Sequence, residues 1–131
     1  LGLPEVSLGI IPGYGGTQRL SRWVGLGRAR EMIFSGQFYD AKTALEFGLV
    51  QRVLPSDALL PECIKLATLI ATRGPLAVGA AKKAINQGID NELKDGLSLE
   101  AHEFGLLFGS KDQVEGAKAF IEKRPPQFVG K

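Results

Sequence analysis

Apolar residues recur every three or four positions through the second half of the chain. The first such stripe begins after Ser56 and consists of Leu60, Cys63, Ile64, Ala67, Ile70 and Ala71. This spacing places all six side chains on one face of a helix. The pattern predicts a helix from Ser56 that ends before Arg73-Gly74-Pro75, with Cys63 in the core.

The same period predicts three further helices. The second begins at Pro75, because proline suits the first helical position, and ends near Gly88. The third covers the region from Leu93 to Phe108, and the fourth runs from about Asp112 to Lys123. The predicted inward face of the second helix consists of Val78, Ala81 and Ile85. That of the third consists of Leu93, Leu97, Ala101, Phe104 and Phe108, and that of the fourth consists of Val114, Ala117, Phe120 and Ile121.

Glycine and proline break the first half into shorter elements. The pattern predicts a strand end and irregular loop over residues 1–12, helices over 16–24, 27–34 and 41–47, and a short strand over 49–54. Asp40 is a favourable N-cap and Gly48 a favourable residue after a helix. We see no repeat or linker, and divide the chain into residues 1–55, which contain the shorter elements, and residues 56–131, which contain the four longer helices.

Composition and charge exclude several classes of protein. The 131 residues are 44% hydrophobic and 23% charged, which is typical of a globular domain rather than a disordered one. No apolar run is long enough for a membrane-spanning helix, and a net charge of +2 does not require nucleic acid or an anionic membrane. One His and one Cys cannot form a usual zinc site, and Cys63 cannot form an internal disulfide. We therefore expect a reducing compartment, the cytoplasm or, in a eukaryote, the mitochondrial matrix.

Pro12-Gly13-Tyr14-Gly15-Gly16-Thr17 is the most distinctive local motif. Its glycines lead into a predicted helix N-terminus, where free N–H groups favour an anion or a polar oxygen. The motif lacks the Gly-Lys-Ser/Thr of a P-loop and the third glycine of a dinucleotide fingerprint. From spacing alone, a tight loop-to-helix connection is the preferred interpretation.

Three other features allow a structural or a functional interpretation. Glu5 stands in an apolar stretch, where a buried carboxylate could serve as a general acid or base, although a position on the wet face of a strand end is the preferred interpretation from these residues alone. The cluster of Arg19, Arg22, Arg28 and Arg30 could meet phosphates, but solvated or salt-bridged helix faces are more common. His102 is predicted at the surface and Trp23 in packing.

Several motifs in order along the chain resemble the enoyl-CoA hydratase/isomerase (crotonase) superfamily. They are Leu3-Pro4-Glu5-Val6, the segment from Gly9 to Leu20, Asp40-Ala41 through Val50, and Glu115-Gly116 through Phe128. The segments Lys83–Gly88 and Glu122–Pro126 are similar to the methylglutaconyl-CoA hydratase branch, some of whose members bind AU-rich RNA. The resemblance implies an α/β fold with a ββα spiral, of which this chain is the mostly α-helical C-terminal half with short strands.

The resemblance also implies the chemistry and the partners. Glu5 matches the second catalytic glutamate, and Gly13 matches a loop glycine whose N–H helps hold the catalytic water. Phe104 and Lys123 match positions that contact the adenine end of coenzyme A, which is part of the substrate, so no cofactor or metal is expected. The implied partners are an acyl-CoA substrate, further copies in a homotrimer or hexamer, and the missing N-terminal half.

The missing half of the family's chain carries the oxyanion-hole donors and the first catalytic glutamate. We therefore expect a 2-enoyl-CoA hydratase as the parent enzyme and no activity from this chain alone. An enoyl-CoA isomerase is the alternative within the superfamily. A non-catalytic module for oligomerisation or RNA binding is the alternative outside it, with RNA the less expected partner at this net charge.

Overall fold

A computed structural model describes residues 1–131 as two compact units, Leu1–Ala58 and Leu59–Lys131. Helices dominate both, in the order 3-10 helix Pro4–Leu8, α1 Gly16–Val24, α2 Leu26–Ser35, α3 Ala41–Glu46, α4 Ser56–Ala71, α5 Pro75–Gly88, α6 Leu93–Leu107 and α7 Lys111–Glu122. The mostly helical prediction is confirmed.

The two predicted strand segments were wrong. The 3-10 helix Pro4–Leu8 lies within the region 1–12, where a strand end and an irregular loop were predicted, and residues 49–54 form bends and irregular backbone. The only β-type pairing is an isolated antiparallel bridge between Gly2 and Phe38. A strand needs a neighbour to accept and donate its backbone hydrogen bonds, and this chain supplies none for residues 49–54.

The first unit forms around an apolar core between α1 and α2. Its buried members are Leu20, Val24, Ala29, Met32 and Ile33, and Leu3, Val6, Tyr39, Phe47 and Leu49 pack against them. The predicted helix boundaries hold where turn chemistry decides them. Gly36 ends α2 in the left-handed conformation, and the Asp40 carboxylate caps α3 by accepting the Thr43 N–H at 2.8 Å. The hydrogen bonds from the backbone and the side chain of Thr43 hold the pKa of Asp40 below its ordinary value.

The second unit contains α5, α6, α7 and the C-terminal tail, with most of α4. Helices α5 and α6 pack against each other, and Lys83 Nζ on α5 lies 2.6 Å from Glu103 Oε1 on α6. Glu103 is buried and Lys83 is half exposed, so the ion pair supplies a partner for a carboxylate that is largely removed from water. Ser110 caps α7 by accepting the Gln113 N–H at 3.1 Å.

Two carboxylates on α7 hold the C-terminal tail. The buried Asp112 accepts the N–H groups of Val129 at 2.7 Å and Gly130 at 2.9 Å. Glu115 accepts the Gln127 N–H at 2.9 Å and N–H groups of the two terminal guanidinium nitrogens of Arg124 at 2.6 and 3.0 Å. The hydrogen bonds from the Arg124 guanidinium, and to a smaller extent the one from the Gln127 N–H, lower the pKa of Glu115 to about 2. The same pairing raises the pKa of Arg124.

Helix period predicted the helices of the second unit but not their burial. Cys63 is exposed, so its assignment to the core was wrong. The α4 stripe is exposed throughout, as are the predicted inward residues of α7, with Phe120 at 86% and Ile121 at 79%. The buried positions of α7 are Asp112 and Ala119. A periodic stripe shows which face is apolar, whereas burial requires a neighbour for that face.

None of the helices is by itself both long and apolar enough to cross a membrane. Helices α4 and α5 together are long and apolar enough for a membrane span, but the two helices are bent by 108° relative to each other.

Candidate active site

Glu5 lies in the first turn of the 3-10 helix, which begins at Pro4 and ends at the left-handed Gly9. Proline is favourable at this first position because its ring fixes φ, and because it has no backbone N–H that would lack a partner within the helix. The Glu5 side chain is half-buried, and its Oε2 atom is buried without a hydrogen-bond partner in the chain. A buried polar atom without a partner is costly, so its presence in a folded chain indicates a role outside the internal packing.

The glycine-rich loop leads directly into α1. Gly15 is the N-cap residue with a φ of +80°, and the backbone N–H groups of Gln18 and Arg19 donate to its carbonyl. The Arg19 guanidinium folds back over the loop, donates to the Tyr14 carbonyl and lies 5.6 Å from the Tyr14 ring centroid. The loop conformation is therefore fixed by the first turn of the helix that follows it.

Within this loop, Gly13 has no structural reason to be glycine. Its φ is not in the left-handed region, and a Cβ added there would meet only the Ile11 carbonyl oxygen at 3.8 Å. Its N–H donates to no backbone carbonyl of the chain. Gly16 differs, because a Cβ there would lie 2.8 Å from the Pro12 Cβ. Glycine at 13 thus leaves open space beside an exposed N–H group.

The structure brings the Glu5 helix and the glycine loop together in the first unit. Leu3 precedes the 3-10 helix, and its side-chain carbons lie 3.4 Å from the position of a Cβ on Gly16. The Cβ of the buried Pro12 lies 2.8 Å from the same position. Glu5 and Gly13, the two residues expected to be catalytic, therefore belong to segments that pack against each other.

An apolar cleft of about 400 Å³ opens in the same unit. Its walls include Leu3, Leu20, Trp23, Met32 and Leu49. The Trp23 ring is 63% exposed, and its Nε1–H donates to the Leu49 carbonyl at 3.2 Å. The prediction that Trp23 packs is therefore only partly met.

Phe104 and Lys123, the residues expected to contact coenzyme A, lie in the second unit. Phe104 is 63% exposed on α6 and forms an edge-to-face pair with Phe108 at a centroid distance of 5.0 Å. It lines a groove of about 420 Å³ whose other walls include Leu107, Gly116 and Phe128. Lys123 is exposed and ends α7 with a φ of +53°. It is the one non-glycine residue with positive φ, a conformation that ordinary residues adopt only where the surroundings enforce it.

Three of the four arginines that could bind phosphate have partners inside the chain, and one of them, Arg22, donates to the Gln18 carbonyl at 3.2 Å. Arg28 donates to the Phe47 carbonyl at 2.8 Å and lies over the Phe47 ring, and Arg19 is held by the glycine loop. These contacts favour a structural role for both arginines. His102 is exposed, which confirms its predicted place at the surface. No group of three or more His, Cys, Asp or Glu side chains is arranged to hold a metal ion.

Sequence reasoning missed the role of Asp112 and Glu115 as anchors of the tail. The available signal was a pair of carboxylates three residues apart on the last helix, followed by Arg124 and two prolines. Two prolines end a helix and favour extended backbone after it. The extended tail lies back along the preceding helix only when side chains on that helix accept the N–H groups of the tail.

Comparison with known proteins gives one consistent family. The family model described as enoyl-CoA hydratase/isomerase matches residues 1–131. A crotonyl-CoA hydratase of Syntrophomonas wolfei subsp. wolfei is 45% identical over 130 residues, covering 99% of this chain and 50% of the relative. A short-chain-enoyl-CoA hydratase of Clostridioides difficile is 50% identical over 119 residues, covering 91% of this chain and 77% of the relative.

A solved structure agrees with the sequence comparisons. The crystal structure of an enoyl-CoA hydratase from Bacillus anthracis superposes with a TM-score of 0.94 at 46% identity, covering 100% of this chain and 51% of that one. The chain thus spans about half the length of the Syntrophomonas and Bacillus proteins.

Proposed function

The chain belongs to the enoyl-CoA hydratase/isomerase family, and we propose that it forms part of an enzyme that hydrates 2-enoyl-CoA thioesters. By the complete enzyme we mean the full-length polypeptide that carries this chain. Relatives named as hydratases support hydration over isomerisation. The observation within the structure that carries the proposal is the half-buried Glu5, whose buried Oε2 has no partner.

Hydration sets clear demands on the site. The oxygen of water bonds to the β-carbon, one proton of that water is removed, and one proton is delivered to the α-carbon. The thioester oxygen carries enolate charge while these bonds change. Acid–base groups beside the water and N–H donors at the thioester oxygen meet these demands. Glu5 supplies one acid–base carboxylate in this proposal, and we assign the second carboxylate and the oxyanion donors to the half of the relatives' length that this chain does not span.

Gly13 positions the water in this proposal. Its exposed N–H and the open space beside it allow a water molecule to approach the backbone closely. An N–H donor holds the oxygen of water and leaves the protons of that water free to face a carboxylate. The packing of Leu3, Pro12 and Gly16 keeps this loop and the Glu5 helix in register.

Phe104 and Lys123 bind the nucleotide end of the substrate. The exposed Phe104 ring offers an apolar face to adenine, and Lys123 offers a cation to phosphate. We further propose that the complete enzyme is a homotrimer or hexamer, which would cover the apolar faces that the second unit leaves exposed. No cofactor takes part, because coenzyme A is part of the substrate.

Product analysis in labelled water tests the proposed function. The complete enzyme is incubated with crotonyl-CoA and with a 3-enoyl-CoA in ¹⁸O-labelled water. A hydratase forms 3-hydroxybutyryl-CoA that contains one ¹⁸O atom. An isomerase moves the double bond of the 3-enoyl-CoA and incorporates no ¹⁸O. Double-bond migration without hydration would reject the hydratase proposal in favour of the isomerase, and the absence of both reactions would reject the enzymatic function.

A further inference from the structure

We propose that Gly36, at the end of α2, is a positioning residue for the Glu5 carboxylate. The inference rests on the proposed function for its catalytic consequence, but its structural part is independent of the reaction. Gly36 touches neither substrate nor water in this proposal. It acts by allowing α2 to approach the 3-10 helix that carries Glu5.

The approach is close on both sides of Glu5. A Cβ on Gly36 would lie 2.9 Å from Ser7 Oγ, 3.3 Å from Val6 Cγ2 and 3.6 Å from Pro4 Cα. Pro4 precedes Glu5, and Val6 and Ser7 follow it. A Cβ at position 36 therefore requires Ser7 Oγ to rotate away and Val6 Cγ2 to give way by a few tenths of an ångström, and both residues belong to the short helix that holds the carboxylate.

The backbone conformation of Gly36 also favours glycine. Its φ of +62° lies in the left-handed region, where a Cβ is unfavourable. Gly48 has the same kind of conformation, with a φ of +76°, but a Cβ there would meet no atom within 4 Å. The two glycines share the backbone requirement, and only Gly36 adds the close approach. This difference provides a matched control.

The 3-10 helix depends on such contacts for its placement. It has five residues, none of them buried, and 3-10 helices of this length have weak hydrogen-bond geometry. Its anchors are Val6 and Leu3, which pack against the core that contains Met32 and Ile33 of α2. Helix α2 therefore contributes both the packing surface and the terminal glycine that set the position of Glu5. Because acid–base catalysis needs the carboxylate in place, a shift of about 1 Å can cost on the order of 10²-fold in rate.

The kinetic test compares Gly36→Ala with Gly48→Ala in the complete enzyme. We expect Gly36→Ala to lower kcat roughly 10- to 100-fold with little change in KM, because the carboxylate moves while the nucleotide contacts remain. Gly48→Ala should leave kcat within about twofold of wild type. Adding Ser7→Ala to Gly36→Ala removes the nearest opposing atom and should restore kcat severalfold. Equal losses in the two glycine variants, or no rescue by Ser7→Ala, would overturn the proposal.

A structural readout separates this proposal from the proposed function. Amide NMR of the 131-residue chain should show shifts at Val6, Ser7 and Ile10 in Gly36→Ala and none there in Gly48→Ala. Asn tolerates the left-handed region better than Ala, so Gly36→Asn supplies the same contact if Gly36→Ala does not fold. If the wild-type complete enzyme does not hydrate enoyl-CoA, the proposed function fails and these shifts decide the positioning role alone. Unchanged amide shifts in the Gly36 variants would contradict it.

Discussion

The two units of this chain are stabilised by different interactions. In the first, five apolar side chains from α1 and α2 form a buried cluster. In the second, the only buried side chains apart from Ala119 are the charged Glu103 and Asp112. The first unit thus closes around apolar contacts, whereas the second is held by carboxylates that pair with Lys83 and with the tail N–H groups.

This difference indicates which part of the site each unit can supply by itself. The first unit fixes the Glu5 helix and the glycine loop against its own core. The second unit leaves large apolar side chains such as Leu93, Phe104, Phe120 and Ile121 exposed. These are the faces that the proposed homotrimer or hexamer would cover, while the charged contacts of the second unit fix the tail locally.

The largest expected effect is the inactivity of the 131-residue chain. Loss of an oxyanion donor costs about 10²–10³ in rate and loss of an acid–base group about 10²–10⁴, and the resemblance described above implies that the donors and the first glutamate of the family lie outside these 131 residues. We expect its crotonyl-CoA hydration to fall below about 1% of the complete enzyme's rate. Steady-state assays of both at equal concentration measure this. A rate above that limit would mean that the first unit already contains a sufficient site.

The contrast in packing predicts unequal costs for one substitution in the two units. Ile33→Ala removes a side chain that is 6% exposed, and should lower the free energy of unfolding of the first unit by about 2–5 kcal/mol. Ile121→Ala removes one that is 79% exposed, and should change stability by less than about 0.5 kcal/mol. Urea titrations of the 131-residue chain, with NMR signals from each unit, measure both. Similar costs would mean that the second unit has its own apolar core.

Lys123 sharpens the division between chemistry in the first unit and binding in the second. Lys123→Ala in the complete enzyme should raise KM severalfold while kcat holds, because a nucleotide contact contributes uniform binding. Lys118→Ala removes another exposed α7 lysine and serves as the matched control. A loss of kcat at constant KM in Lys123→Ala would place this residue in the chemistry instead.

The smallest expected effect is a release of the tail in acid. The folded pKa of Glu115 is about 2, below the ordinary 4.5, so its pairing stabilises the tail fully above about pH 4.5 and is lost as the pH falls towards 2. The Gln127 amide signal, followed by NMR against pH, should shift in this window. Glu115→Gln should remove the Glu115 contribution to that shift. An unchanged titration in the variant would assign the release to another group.

Local chemistry made several elements predictable from the sequence. Asp40 starts α3 through a side-chain hydrogen bond, Pro75 starts α5, and Gly36 ends α2, and each depends on residues within one helical turn. The helical period correctly predicted α4, but its apolar face is exposed. Periodicity shows which face is apolar but not what packs against it, so the exposure of Cys63 could not be predicted from it.

The features that the sequence did not predict are one short segment and two contacts between segments distant in the sequence. Residues 4–8 contain a proline and apolar residues in a run too short to separate a strand end from a 3-10 helix. The candidate site was predictable as two motifs, but the packing of Leu3 on Gly16 that joins them was not. The same holds for the approach of Gly36 to Ser7, because no local pattern reports a contact between distant segments.

The measurement that tests the central claim most directly is the kcat of Glu5→Gln in the complete enzyme. Gln keeps the size of the side chain but cannot exchange a proton at neutral pH, so we expect kcat for crotonyl-CoA hydration to fall by about 10²–10⁴ with substrate binding nearly unchanged. Glu31→Gln makes the same change at an exposed site in the same unit and should leave kcat within about twofold. If Glu5→Gln kept more than about a tenth of kcat while KM rose severalfold, Glu5 would be a binding or structural residue, and its role as an acid–base carboxylate would be contradicted.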